Sequence, residues 1–244
     1  SEHFSIWSLL NDNKKNNVEK VIITASGGPF LKIPLSEFKK IKPSDAVKHP
    51  NWKMGNKISI DSATLMNKVF EVIEAKKIFN LNMNKIDIII NPNSYLHAIV
   101  IFNNGIIKLL AHETRMDIPI FNSIYDNNKS NYFYNTKELN FDKINNLKLS
   151  KPDKKRFEFL NILKLIPNND SLFETVLITV NDELVSMFLK EKIDFKNISI
   201  YLMKIINFKS LKKYYKIKPN SVHQILKVRN YARNIVIRYV DEKN

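Results

Sequence analysis

Val21-Ile22-Ile23-Thr24-Ala25-Ser26-Gly27-Gly28-Pro29 is the stretch from which the fold is read. The run Val21–Thr24 predicts a short buried strand, and two glycines followed by a proline predict a tight loop at its end. Upstream, His3-Phe4-Ser5-Ile6-Trp7-Ser8-Leu9-Leu10 lies in a helix predicted over 3–12. Downstream come polar turns through Pro34, Pro43 and Pro50, then a second strand predicted over Lys57-Ile58-Ser59-Ile60. Ser62 is placed to cap a long helix from Ala63 to about Phe79. Leu65, Met66, Val69, Phe70, Val72, Ile73 and Ile78 would supply its buried face. Ile86–Ile90, Ala98–Phe102 and Ile106–Leu110 read as further strands, with Asn103-Asn104-Gly105 a hairpin signal between the last two. The expectation is an α/β unit over 1–125, of the α+β kind with a mixed sheet and flanking helices. A polar linker over 126–155 follows, then a small all-helical C-terminal domain over 156–244 with helices at 156–166, 171–191, 195–206 and 220–241. There is no internal repeat.

Composition narrows the function classes. The chain has 244 residues, 44% hydrophobic and 26% charged, enough to bury a real core. No apolar run approaches the roughly 18 residues of a membrane span, so no membrane role is expected. With no cysteine, disulfide scaffolds, thiolate metal sites and cysteine nucleophiles are excluded. The net charge of +15 invites a nucleic-acid reading. However, Arg115, Arg156, Arg229, Arg233 and Arg238 are the only arginines, and base-edge and bidentate phosphate recognition favour arginine over lysine. No nucleic-acid partner is therefore expected. The opening Ser1-Glu2-His3 has no initiator Met and reads as the middle of a longer protein.

Glycine points to the site. The chain has 4 glycines, and scarcity leaves them where the backbone needs positive φ or close approach to a ligand. Ser26-Gly27-Gly28 after a strand could cradle an anion, or could be an ordinary strand-ending turn. Asn67, Lys68 and Glu71 share one polar edge of the predicted helix. An amide, an ammonium and a carboxylate there could hold a sugar phosphate at one end and a divalent cation at the other. The plainer alternative is a Lys68–Glu71 surface pair. Ser62 would add a hydroxyl beside the positive end of the helix dipole. Glu2 could be a second carboxylate for a hard cation, or merely solvated. His49-Pro50-Asn51-Trp52-Lys53-Met54-Gly55 has little helical or strand period and reads as a lid, unless its tryptophan packs on its own core. Taken singly, His49 and His97 read as structural histidines.

Together these segments resemble a known family. Ser1-Glu2-His3, Thr24-Ala25-Ser26-Gly27-Gly28-Pro29-Phe30, Lys48-His49-Pro50-Asn51-Trp52-Lys53-Met54-Gly55, Asp61-Ser62-Ala63-Thr64-Leu65-Met66-Asn67-Lys68 and Met116-Asp117-Ile118-Pro119-Ile120 closely resemble the signatures of 1-deoxy-D-xylulose 5-phosphate reductoisomerases. The likeness is dense over 1–120 and thin beyond 126, where Val180-Asn181-Asp182-Glu183 is similar to the family's helical region.

The resemblance implies an NADPH- and Mg²⁺- or Mn²⁺-dependent oxidoreductase of the non-mevalonate isoprenoid pathway, cytoplasmic and homodimeric. Such an enzyme converts 1-deoxy-D-xylulose 5-phosphate to 2-C-methyl-D-erythritol 4-phosphate. It implies Glu2 and Glu71 as metal carboxylates, with Lys68 joining them in catalysis. Ser26, Ser62, Asn67 and Lys68 would bind the phosphate and substrate, His49 and His97 would lie in the same pocket, and Ser1 at the substrate's reacting end. Trp52 and Met54 would belong to the mobile lid, Trp52 on the substrate and Met54 with Gly55 and Met116 toward the nicotinamide. The family's third metal aspartate and its N-terminal NADPH domain are not in this sequence, so the chain alone is expected not to turn over. Val69 and Asn91 depart from a usual glycine and histidine. Alternative readings are a non-catalytic sugar-phosphate-binding module and a lysine-rich protein whose helical tail binds nucleic acid.

Overall fold

The computed structural model describes residues 1–11, 17–48, 51–52, 54–125 and 138–243. In chain order the elements are α1 (Glu2–Leu10), β1 (Val18–Ala25), α2 (Pro43–Ala46), α3 (Asn56–Thr64), α4 (Met66–Phe79), β2 (Ile86–Ile90), β3 (Leu96–Phe102), β4 (Ile107–Ala111), α5 (Asp117–Ile124), α6 (Phe141–Asn145), α7 (Phe173–Leu189), α8 (Phe195–Ile205), α9 (Lys209–Lys212) and α10 (Val222–Asp241). Short 3-10 turns punctuate them.

The four strands form one mixed sheet in the order β2-β1-β3-β4. β1 runs parallel to β2, with Val21 opposite Ile86 and Ala25 opposite Ile90, and antiparallel to β3. A strand flanked on both edges and covered by helices reads as a β-branched run, as Val21–Thr24 does. β4 at the rim alternates instead, with Ile107 and Leu109 exposed. Gly105 at φ 84 closes the β3–β4 hairpin, the one place where that turn needs a left-handed residue. α1 packs on β3 and β4, and α4 on β2 and β1, so the N-terminal residues of both helices are carried on one sheet.

The chain forms two compact units that are not consecutive in sequence. One holds Ser1–Gly28, His49–Met54 and Leu65–Asp153; the other holds Pro29–Lys48, Gly55–Thr64 and Lys154–Asn244. The expected division at 125 and 156 differs because the Pro29–Lys48 and Gly55–Thr64 excursions pack with the helices. Arg156 explains part of this: its Nη1 donates to the carbonyls of Phe30 (2.8 Å) and Ile33 (2.7 Å). Phe30, Phe38 and Phe195 form an edge-on aromatic cluster beside it. α7 is the axis of this unit, burying Phe173, Val176, Leu177, Val180, Leu184 and Phe188, with α8 and α10 against it. α10 contributes Val228, Ala232, Val236 and Val240, a stripe at the helical repeat, and Ser221 caps it by accepting from the Gln224 N–H at 3.2 Å.

Three sequence expectations need correction. Lys57–Ile60 is not a strand but the body of α3. Ile60 and Ala63 are buried three residues apart, Lys57 pairs with Asp61 at i, i+4, and Gly55 accepts from Ser59 as an N-cap would. The β-branched isoleucines favour β locally, and polar contacts to α7 decide otherwise. Ser62 consequently lies in the last turn of α3 rather than capping a helix; α4 starts at Met66 after Leu65, which is left-handed at φ 60. The expected linker is partly built structure. Asn140 caps α6 by accepting from the Lys143 N–H at 3.0 Å, and Ser150 exchanges two backbone hydrogen bonds with Ile90. The helix expected over 156–166 is a 3-10 segment, Glu158–Lys164.

Candidate active site

α1 begins at Glu2 and α4 carries Lys68 and Glu71, and the sheet on which both helices pack brings these three side chains together. Lys68 is 4% exposed. Its Nζ hydrogen-bonds Glu2 Oε1 and sits 2.8 and 2.7 Å from the two Glu71 oxygens. Two carboxylates 69 positions apart therefore converge on one cation. Ser1, the α1 N-cap, donates from Oγ to Glu2 Oε2 at 2.7 Å. Asn67 Nδ2 donates to Glu71 Oε1 at 3.3 Å, while Asn67 Oδ1 is buried with no hydrogen-bond partner. His3 Nε2 lies 3.1 Å from the Glu71 carbonyl oxygen, which fixes Nε2 as the protonated nitrogen.

Burial sets the electrostatics. It pushes the Glu71 carboxyl up to about 8, and the neighbouring Glu2 charge pushes the same way against Lys68. Burial would raise Glu2 as well, but the Lys68 ammonium overrides it and holds that carboxyl well below the usual carboxylate range. Lys68 is raised because the two carboxylates outweigh its own desolvation. One ionised carboxylate, one readily protonated carboxylate and an ammonium thus share the pocket.

On β3, His97 is 2% exposed and stacks on His112 with ring centroids 3.6 Å apart. His97 Nε2 is 3.1 Å from the His112 carbonyl, so Nε2 carries the proton and Nδ1 is left as an acceptor. Burial, followed by the His112 charge, pushes His97 down to about 4. Trp52 meets the His97 ring edge-on at 6.2 Å, and Asn51 donates to Pro92 O and Ser94 Oγ, both at 2.8 Å. The expected lid segment is therefore fastened where the structure describes it. His49 lies outside the described residues.

Ser26 follows the end of β1, its Oγ accepting from the Gly28 N–H at 3.1 Å, and Gly27 and Gly28 take φ 85 and 67. Ser62 is buried in α3 of the helical unit. Met54 follows the lid tryptophan, and Met116 caps α5 with 46% of its surface exposed. Gly55 departs from the glycine expectation: its φ is not positive and a Cβ there would meet nothing within 4 Å. Sequence reasoning missed His112, whose only signal was its place after an alternating strand. It also missed the Lys57–Asp61–Asn181 cluster, because Lys57–Ile60 read as a strand.

Among the described residues, no group of three His, Asp or Glu side chains is arranged as a metal site. The half-buried carboxylates of Glu2 and Glu71 nevertheless make an oxygen donor pair that suits Mg²⁺ or Mn²⁺. The residues do not fit a dinucleotide in the same way. A pyrophosphate is held by a glycine-rich turn leading into a helix, whereas the Gly27-Gly28 turn runs into Pro29 and a 3-10 turn at Leu35–Lys40. No helix among the described residues is long and apolar enough to cross a membrane.

Comparison with known proteins places the chain in a family. The family model described as the 1-deoxy-D-xylulose 5-phosphate reductoisomerase C-terminal domain matches residues 1–79, and that of the DXP reductoisomerase C-terminal domain matches residues 112–235. The chain is 55% identical over 232 residues to the 1-deoxy-D-xylulose 5-phosphate reductoisomerase of Pelagibacter ubique (strain HTCC1062), covering 95% of this chain and 59% of that protein. It is 38% identical to the Treponema denticola enzyme of the same name, covering 100% of this chain and 62% of that one. Among solved structures, it superposes with a TM-score of 0.88 at 28% identity on DOX-P reductoisomerase in complex with NADPH, fosmidomycin and magnesium, covering 99% of this chain and 62% of the other. The Zymomonas mobilis enzyme in complex with NADPH gives 0.83 at 31% identity, covering 98% and 60%. The chain thus spans about three fifths of the length of these relatives.

Proposed function

The chain belongs to the 1-deoxy-D-xylulose 5-phosphate reductoisomerase family, and from that premise we propose that it carries the metal- and sugar-phosphate-binding part of an enzyme making 2-C-methyl-D-erythritol 4-phosphate. The observation that carries the proposal is the convergence of Glu2 and Glu71 on Lys68 in a buried pocket. Glu2 and Glu71 would hold a divalent cation, which when bound polarises the substrate's carbonyl and adjacent hydroxyl oxygens as a Lewis acid. Glu71 holds its proton until about pH 8, so loading of the site releases a proton. Lys68, released from its bonds to Glu2 and Glu71, then has its ammonium available for the substrate.

Ser26, Ser62, Asn67 and Lys68 are assigned to the phosphate, whose binding energy is remote from the reacting carbons and is used to orient them. Ser1, held by its bond to Glu2, faces the reacting end. Neutral His97 offers Nδ1 as an acceptor to a substrate hydroxyl, and Trp52 beside it closes the pocket against water; His49 is assigned to the same substrate. Met54, Gly55 and Met116 are assigned to the nicotinamide edge. NADPH is the family's reductant, and the described residues supply no cradle for its pyrophosphate, so no hydride step is derived from them. Homodimerisation and a cytoplasmic setting belong to the same proposal. The test is NADPH oxidation with 1-deoxy-D-xylulose 5-phosphate and Mg²⁺ or Mn²⁺ by the native polypeptide. Turnover that Glu71→Gln abolishes supports the reading. Turnover that Glu71→Gln leaves intact contradicts it, as does the absence of turnover in the native polypeptide.

A further inference from the structure

Within the helical unit, α3 presents a thin apolar face. Of its buried residues Ser59, Ile60, Asp61, Ser62 and Ala63, only Ile60 and Ala63 are apolar. A helix with so little apolar surface is poorly fixed in rotation by burial alone. Asp61 supplies what is missing. It is 0% exposed, its Oδ1 accepts from Asn181 Nδ2 of α7 at 2.8 Å, and Lys57 Nζ stands 2.8 Å from its Oδ2 and 2.9 Å from Asp182 Oδ1. Asn181 is also 0% exposed, and its Oδ1 has no hydrogen-bond partner. A buried ionic group of this kind adds little stability over an apolar residue of the same size. Its directional bonds do something packing does not, which is to select one rotation of α3 against α7.

We propose that Asp61, held by Asn181 and Lys57, is a positioning residue for Ser62: it sets the rotation of α3 and so aims the neighbouring hydroxyl at the substrate phosphate. Ser62 is one residue further on, about 100° around the helix, so any roll of α3 moves its hydroxyl directly. The inference rests on the assignment of Ser62 to the phosphate.

Three variants of the native polypeptide test it: Asn181→Leu, Lys57→Gln, and the exchange Asp61→Asn with Asn181→Asp, which preserves the hydrogen bond and the total charge. With Asn181→Leu, KM for 1-deoxy-D-xylulose 5-phosphate should rise about tenfold with kcat within about twofold, as for one lost charged hydrogen bond. Lys57→Gln should shift KM the same way by less, and the exchange should restore it. Turnover of unphosphorylated 1-deoxy-D-xylulose should not change in any of them. An unchanged KM overturns the proposal, and so does an equal loss with both sugars. Amide exchange across Asn56–Thr64 keeps the inference separate from the function it rests on. If the native polypeptide turns over neither sugar, the functional reading fails; exchange that is no faster in Asn181→Leu then overturns the clamp on its own.

Discussion

At the scale of single residues, Lys68 is the keystone of the pocket because its buried ammonium is bonded to both Glu2 and Glu71. Lys68→Ala should cost about 3–5 kcal/mol in urea unfolding, the penalty for leaving buried charge without its partner. Adding Mg²⁺ or Mn²⁺ should recover part of that loss, since a cation can take the ammonium's place. A loss indifferent to divalent ions would show that the carboxylates do not accept one. His97 gives a pH signature. Its folded pKa of about 4 lies below the ordinary 6.5, so it contributes stability that is fully present above about pH 6.5 and is lost as the pH falls toward 4. The stability gap between the native protein and His97→Gln should therefore close by up to roughly 3 kcal/mol across that window. Denaturant melts at stepped pH read this directly. A gap independent of pH would mean that His97 is not held neutral by its burial.

At the scale of elements, the turn after β1 and the start of α3 make a contrasting pair. Gly27 and Gly28 both have positive φ, so alanine at either should cost about 1–2 kcal/mol. Gly55→Ala, with ordinary φ and open space, should cost no more than glycine's N-cap preference over alanine, below about 1 kcal/mol. Equal losses at all three sites by thermal melting would contradict this. The same elements show what was legible in the sequence. β1, β2, β3, the hairpin and α7, α8 and α10 follow from β-branched runs, Asn-Asn-Gly and helical stripes, because for them local preference and burial agree. α3 was misread because Ile58 and Ile60 favour a strand locally, while what fixes the helix is a set of polar contacts to α7 more than a hundred residues away. The identities of Glu2, Asn67, Lys68 and Glu71 as candidates were legible. The Lys68 bridge between the two carboxylates was not, since no periodicity says that α1 and α4 share a sheet.

At the scale of the whole molecule, two compact units interleave along the chain, and the candidate residues are divided between them: Glu2, Ser26, Lys68, Glu71 and His97 in one, Gly55 and Ser62 in the other. That interleaving is why a reading by consecutive segments misplaces the boundaries. The central claim is that Glu2 and Glu71 are the paired carboxylates of a divalent-cation site. Mn²⁺ titration followed by electron paramagnetic resonance, on the native protein and on Glu2→Gln and Glu71→Gln, tests it most directly. The account predicts a site in the native protein that weakens at least about tenfold in each variant, with affinity in the native protein rising as the pH approaches 8 and Glu71 gives up its proton. Mn²⁺ binding of the same strength in all three proteins would contradict it.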